Sequence, residues 1–328
     1  MSAKKKLDNY TLSFVVPMYN EQEGAAYFHK SVLLPQVKAY ARGLYEIIYV
    51  NDGSSDSTLD ILQNIAETDH KVKVINLSRN FGKEIATTAG ITRATGDAII
   101  ILDGDGQHPP KIIGDFINKW LAGAMVVIGI RNSNKDEGIV KKYGSKLFYK
   151  IFNSTSGAKI VPRSTDFRLI DKVVQNEFIK FTERHRITRG LIDWLGFKRD
   201  YVYFDSPARL AGTASYKTTQ LFRLAMNSFV SLSLQPLFIF GWVGVFIVSS
   251  STLFGLFIIV EQFILHDPMR LHFSGSAMLG VFMSFLIGIV LISQAILATY
   301  VSHIHTQTQG RPLFIIDYEN SSNITPGS

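Results

Sequence analysis

Asp97-Ala-Ile-Ile-Ile-Leu102, followed at once by Asp103-Gly-Asp-Gly-Gln107, decides the fold. Ala98–Leu102 are five apolar residues in a row. A strand exposed on one face would alternate polar and apolar residues, so this run predicts a strand covered on both faces. Working outward, Tyr10–Val16 and Tyr45–Val50 are strand-like, as are Val72–Leu77 and Met125–Ile130. Between them lie helical stretches from about Glu21 to Ala41, up to Thr68, and from Lys83 to Ala94. Apolar strands alternating with helices predict an α/β fold, a mainly parallel sheet with helices on both faces. Such sheets take ligands beyond the carboxyl ends of their strands. That rule selects Pro17–Glu21, Asn51–Asp56 and Asp103–His108.

A carboxylate after a strand often only caps the next helix, and Asp56 is expected to do that. Asp103-Gly-Asp105-Gly-Gln107 is different. Its oxygen donors alternate on a short glycine-bearing loop, which suits a hard divalent cation, Mg²⁺ or Mn²⁺, with open positions left for phosphate oxygens. No glycine–lysine phosphate loop and no G-x-G-x-x-G follow the first strand. A P-loop NTPase and a dinucleotide-binding domain are therefore unsupported.

The 328 residues contain no cysteine, which excludes a disulfide framework, a thiolate metal site and a cysteine nucleophile. Formal charge is uneven. Residues 1–236 carry +9, residues 237–304 carry −1 and the tail −1, which together make the net +7. A basic surface suits an anionic membrane face or a phosphorylated substrate; no nucleic-acid motif is present. Leu237–Val260 and Ala277–Val301 are runs of 24 and 25 residues without a charge. A bilayer core takes about 20 helical residues, so a two-helix transmembrane hairpin is expected. The basic flanks Arg209, Lys217, Arg223 and Arg311 lead to the expectation that the soluble part and both termini face the cytoplasm. No apolar stretch follows Lys4–Lys6, so no signal peptide is expected. The expected divisions are a basic tail (1–9), a soluble domain (10–215), an amphipathic juxtamembrane helix (216–236), the spans 237–260 and 277–301, and a tail (302–328). The juxtamembrane helix suits the membrane interface and packing on the soluble domain equally.

Five segments carry a specific resemblance: Val15-Val-Pro-Met-Tyr-Asn-Glu21, Asn51-Asp-Gly-Ser-Ser-Asp-Ser-Thr58, Arg79-Asn-Phe-Gly-Lys-Glu84, Asp103-Gly-Asp-Gly-Gln-His-Pro109 and Asp166-Phe-Arg-Leu169. In this order they resemble family 2 glycosyltransferases of the polyprenyl-phosphate group, bactoprenol glucosyltransferases and dolichyl-phosphate mannose synthases among them. The resemblance implies a GT-A-type, Rossmann-like domain that moves a sugar, with inversion, from a nucleotide-sugar donor to undecaprenyl phosphate. UDP-glucose and UDP-N-acetylglucosamine are the leading donors. It implies that Pro17, Tyr19, Glu21 and Asp52 surround the base and ribose, that Asp103 lies by the nucleotide, and that Asp105 and Gln107 hold the metal. Asp166 becomes a candidate base or an orienting group, the two standing equal. Arg131 at the end of the fifth strand, Arg168 beside Asp166, and Arg209 and Lys217 ahead of the first span are the expected phosphate contacts. A non-catalytic scaffold and a processive synthase are the rivals; the intact Asp103-x-Asp105-x-Gln107 opposes the first and the absence of Q-x-x-R-W the second.

Two departures stand out. Arg209-Leu-Ala-Gly212 lacks the family's lysine six residues after the arginine; Ser215 is there and Lys217 follows. The second span ends in Ala298-Thr-Tyr-Val-Ser-His303 instead of a Gly-Glu-Tyr-Ile-Gly-Arg-type segment. Glycines in both spans leave homo-oligomerisation open.

Overall fold

The computed structural model describes residues 10–41, 44–132, 163–184, 186–205, 253, 260 and 275–325. The strands are β1 (Leu12–Met18), β2 (Tyr45–Asn51), β3 (Val72–Asn76), β4 (Ala98–Ile101), β5 (Val126–Arg131), β6 (Ser164–Asp171) and β7 (Arg199–Phe204). They form one sheet in the order β3-β2-β1-β4-β6-β5-β7. β1 pairs in parallel with β2 and β4, β2 with β3, and β5 with β7. The expected parallel half is thus present. β6 runs antiparallel between β4 and β5, so the whole sheet is mixed.

The helices are α1 (Ala25–Tyr27), α2 (Leu34–Tyr40), α3 (Thr58–Thr68), α4 (Lys83–Arg93), α5 (Ile113–Leu121), α6 (Lys172–Phe178), α7 (Thr188–Trp194) and α8 (Gly275–Thr308). A π-helical turn, Phe28–Leu33, joins α1 to α2 within the stretch expected as one helix. Pro35 opens α2, and its missing N–H and bulky ring oppose an ordinary i→i−4 bond there.

Alternation along the strands builds two cores. Phe14, Val16, Ile47, Tyr49, Ile100 and Phe167 face α3 and α5 with Leu62, Phe116 and Trp120. Val15, Ile48, Val50, Ile99, Ile101 and Ile170 face the other way, toward Ala86, Ala89, Val174 and Ile192. β4 contributes to both, which is why its sequence, Ala98-Ile-Ile-Ile101, is unbroken by a polar residue. Gly90 of α4 lies against Val15; a Cβ there would come within 2.3 Å of a Val15 methyl, so the glycine sets how closely α4 approaches β1.

The chain divides into two compact units, Met1–Tyr216 with Arg311–Ser328, and Lys217–Gly310. Within the first, the C-terminal stretch returns to the sheet. Val74 and Ser322 exchange two backbone hydrogen bonds of 2.9 and 3.0 Å, and Leu77 bridges Ile316. Phe314, Ile316 and Ile324 pack on the second core. The tail therefore covers the β3 edge, a contact absent from the sequence reading. In the second unit α8 contains the expected second span. Its 34 residues include no Asp, Glu, Lys or Arg, though many of its side chains fall outside the description. Among the described residues no helix is long and apolar enough to cross a membrane. The first span, apart from residues 253 and 260, and the juxtamembrane helix lie outside them.

Candidate functional site

β1, β2 and β4 end side by side at Met18, Asn51 and Ile101, and the loops that follow are tied to one another. Ser54 Oγ accepts from the Asn20 N–H, and Asn20 Oδ1 accepts from the Ser55 N–H at 2.9 Å. The Glu21 N–H donates to Thr58 Oγ1 at 2.8 Å. Asp56 accepts from the Thr58 N–H at 3.0 Å, so it does serve the start of α3. Tyr19, which ordinary strand-end packing would bury, is 48% exposed. Pro17 lies in the β1 ladder opposite Val50.

Asp52 is buried, and its two carboxylate oxygens accept from the N–H groups of Phe81 and Gly82 at 2.8 and 2.9 Å. It shapes the Arg79–Gly82 loop. Burial raises its pKa, against the lowering effect of those two bonds. Gly53 sits at φ +63°, and a Cβ there would lie 2.3 Å from the Arg79 carbonyl carbon. Only glycine meets both demands.

The loop after β4 meets two neighbours. Gln107 Oε1 accepts from Arg131 at 3.4 Å, joining the expected metal loop to the end of β5. Asp105 accepts from the Gln107 N–H at 3.0 Å. The Asp103 N–H donates to His108 Nδ1 at 3.0 Å. His108 is buried and stacks on Phe167 with centroids 5.1 Å apart. Burial lowers its pKa, and the neutral ring suits an acceptor nitrogen.

Lys83 is the residue that sequence reasoning missed. Its Nζ lies 2.7 Å from Asp103 and 2.9 Å from Asp166, at the first turn of α4. Burial alone would lower the Lys83 pKa, but the two carboxylates more than offset this and hold it above its usual value. For Asp166 burial acts upward, and the charges of Lys83 and Arg189 bring it well below the usual carboxylate range. Asp166 is therefore ionised and a poor proton acceptor. The next residue, Glu84, accepts from the Thr188 N–H at 2.7 Å and so holds the start of α7. The only advance signal for Lys83 is its place in Arg79-Asn-Phe-Gly-Lys-Glu84.

Arg168 requires a correction. Residues 166, 168 and 170 share one face of β6, but Arg168 points into the protein interior. Its guanidinium is paired with Asp193 at 2.8 Å, and the two side chains are 1% and 0% exposed. It also donates to the carbonyls of Thr165 and Arg189 at 3.1 and 3.2 Å. Full occupation by protein acceptors makes it the brace between β6 and α7, not a group that reaches substrate. Arg209 and Lys217 lie outside the described residues.

The structure thus brings Asp103, Asp105, Gln107, Arg131 and Asp166 to one sheet edge, together with Lys83 and Arg189. Beside them is a cavity of about 340 Å³, lined in part by Asp103, Arg131, Arg163, Asp166 and Arg189. That volume lies within the small-molecule range. Among the described residues no three His, Asp or Glu side chains converge on a point, so protein donors alone form no metal cage. One carboxylate and one amide on a loop do fit a hard cation that takes its remaining ligands from phosphate.

A mixed sheet with linked loops at the ends of β1, β2 and β4, and an Asp-x-Asp-x-Gln loop beside an arginine-bearing cavity, fits a glycosyltransferase. The chain belongs to glycosyl transferase family 2, whose profile matches residues 13–178. Over 305 residues it is 36% identical to an uncharacterized glycosyltransferase of Synechocystis, covering 93% of this chain and 94% of that one. Over 313 residues it is 34% identical to the SfII prophage-derived bactoprenol glucosyl transferase of Shigella flexneri, covering 95% and 99%. Among solved structures, mannosyl-3-phosphoglycerate synthase from Rubrobacter xylanophilus aligns with a TM-score of 0.49 at 17% identity, over 69% of this chain and 73% of that one.

Proposed function

We propose that this protein transfers glucose, with inversion, from UDP-glucose to undecaprenyl phosphate at the cytoplasmic face of a membrane. The observation that carries the reading is the meeting of the Asp103–Gln107 loop with Arg131 and Asp166 at the sheet edge. Near-full-length likeness to a bactoprenol glucosyl transferase favours glucose over N-acetylglucosamine and a polyprenyl phosphate as acceptor.

The loops after β1 and β2 would take the nucleoside, with Tyr19 exposed to meet the base and Asp52 holding the Arg79–Gly82 wall. Asp105 and Gln107 would hold Mg²⁺ or Mn²⁺, which when bound supplies positive charge for the leaving diphosphate. Arg131 reaches the same loop and contributes a cation there. The acceptor needs no general base, because a phosphate monoester has its second pKa near 6 and is already anionic at neutral pH. The depressed pKa of Asp166 agrees with this. Asp166 orients Lys83 and, through it, Asp103.

Anchoring belongs to the same proposal. Two uncharged runs of 24 and 25 residues are long enough to span, and α8 contains the second. The chain on both sides of residues 217–310 belongs to one folded unit. A segment with both ends tied to one body must leave a bilayer on the side where it entered, which supports a hairpin.

The test is incubation of purified full-length protein with radiolabelled UDP-glucose and undecaprenyl phosphate, followed by solvent extraction. Label is expected in an acid-labile lipid that depends on the polyprenyl phosphate. Label only in free glucose, or transfer only from UDP-N-acetylglucosamine, would overturn the reading.

A further inference from the structure

The cavity beside Asp166 has guanidinium N–H groups that the fold leaves without acceptors. Three carboxylates near α7 have partners: Asp193 takes Arg168, Asp166 takes Lys83, and Glu84 takes the Thr188 N–H. Arg189, one residue after Thr188, is the partner of none of these three, though its charge also acts on Asp166. Its Nε–H is buried without a hydrogen-bond acceptor, and so is that of Arg131 on the same cavity wall. A buried guanidinium nitrogen without an acceptor is costly, and such orphan groups call for an explanation.

The charge balance points the same way. Arg131, Arg163 and Arg189 line the cavity together with Asp103 and Asp166. Lys83 clasps both carboxylates. Lys83, Arg131 and Arg189 thus stand against Asp103 and Asp166, an excess of about one positive charge. A phosphate monoester carries about −1.5 to −2 at neutral pH. Guanidinium groups grip phosphate oxygens bidentately. The lining includes no residue of Pro17–Glu21 or Asn51–Asp56, so the cavity is separate from the expected nucleoside loops.

We propose that Arg189 is a phosphate-binding residue of the transfer site, gripping from α7 an oxyanion that Arg131 meets from β5. This deepens the glucosyltransferase reading and rests on it for the identity of the phosphate. Two sources share the chemistry, the acceptor monoester and the donor diphosphate. Glu84 and Arg168 act through Arg189: one holds the N–H of Thr188 and the other the Arg189 carbonyl, which fixes the start of α7.

Two measurements on the full-length protein in detergent test it. The first is the thermal midpoint with and without pyrophosphate, free of divalent cation. The wild type is expected to be stabilised, Arg189→Gln to lose the effect, and Arg189→Lys to keep part of it. A wild type without the shift, or an Arg189→Gln variant that retains it, would overturn the proposal. Should the glutamine variant fail to fold, an Arg189→Lys shift equal to that of the wild type would overturn it instead. The second measurement is steady-state kinetics with each substrate varied. Loss of one charge-assisted hydrogen bond is expected to raise a KM about tenfold or more. A rise for undecaprenyl phosphate assigns the acceptor monoester, and a rise for UDP-glucose the donor diphosphate. Unchanged KM values for both in Arg189→Gln would overturn the assignment. If the wild type transfers nothing, the glucosyltransferase reading fails, while the pyrophosphate shift still decides for or against Arg189.

Discussion

Replacing Arg168 by Met separates a structural brace from a catalytic cation. The substitution keeps most of the apolar volume and removes a guanidinium bonded to Asp193, Thr165 and Arg189. Asp193 then stays at 0% exposure, with Arg199 at 3.7 Å as its nearest remaining cation. Breaking one half of a buried ion pair costs about 3–5 kcal/mol. In a domain of some 200 residues each kcal/mol moves the melting temperature by about 2–4 °C. The expected loss is therefore roughly 6–20 °C. The double variant Arg168→Met with Asp193→Leu removes the stranded carboxylate and is expected to regain a large part of it. Thermal denaturation of the three variants, with UDP binding measured at a temperature where all are folded, reads both effects. UDP affinity should change less than in Arg189→Gln, because Arg168 acts on the ligand only through Arg189. An Arg168→Met protein with unchanged melting temperature and abolished turnover would refute the reasoning and restore Arg168 to the chemistry.

Asp105→Ala is expected to abolish transfer with less than about 1 kcal/mol of destabilisation, since the loop carboxylate contributes little to either core; full wild-type activity in EDTA would contradict the metal assignment. Gly53→Ala forces a Cβ against the Arg79 backbone at positive φ and should cost at least about 1 kcal/mol, with donor affinity lost alongside. Equilibrium unfolding and UDP titration check it. Burial lowers the pKa of both His108 and His29 in the folded protein. The unfolded chain therefore binds protons first, and stability should fall as pH drops below about 6.5, by up to about 1.4 kcal/mol per pH unit for each histidine. His29→Gln should reduce that slope in unfolding curves taken between pH 7 and 5, and an unchanged slope would remove His29 from the account.

The parallel half of the sheet was legible because its strands are nearly pure apolar runs and each ends in a loop of distinctive chemistry. β4 with Asp103–Gln107 and β2 with Asn51–Asp56 are the clearest cases. The antiparallel part was not. β6, Ser-Thr-Asp-Phe-Arg-Leu-Ile-Asp, places charged residues on an inward face, where they pair with α4 and α7 instead of packing as apolar groups. β7 alternates like an edge strand and resembles many exposed segments. The site was legible in its acidic loop and in Arg131, which ends a recognisable strand. Lys83 and Asp166 are 83 residues apart, and nothing local announces that they touch. Arg168 looked like a phosphate contact because residue type does not reveal burial; its partner Asp193 lies 25 positions further on.

The tail that closes the β3 edge also fixes when the domain can be finished. Val74 and Leu77 wait for Ser322 and Ile316, which leave the ribosome only after residues 217–310 have been made. Until then Val74, Ile75 and Leu77 stand beside an open ladder, the kind of edge that invites pairing between chains. A protein cut at about residue 235 would stay at that unfinished stage permanently. It would lose the contacts of Phe314, Ile316 and Ile324 along with any anchor, so poor solubility of such a fragment would report an uncapped sheet as much as exposed lipid-facing surface. Joining residue 216 to residue 311 through a flexible linker restores the cap and is the better route to a soluble catalytic unit.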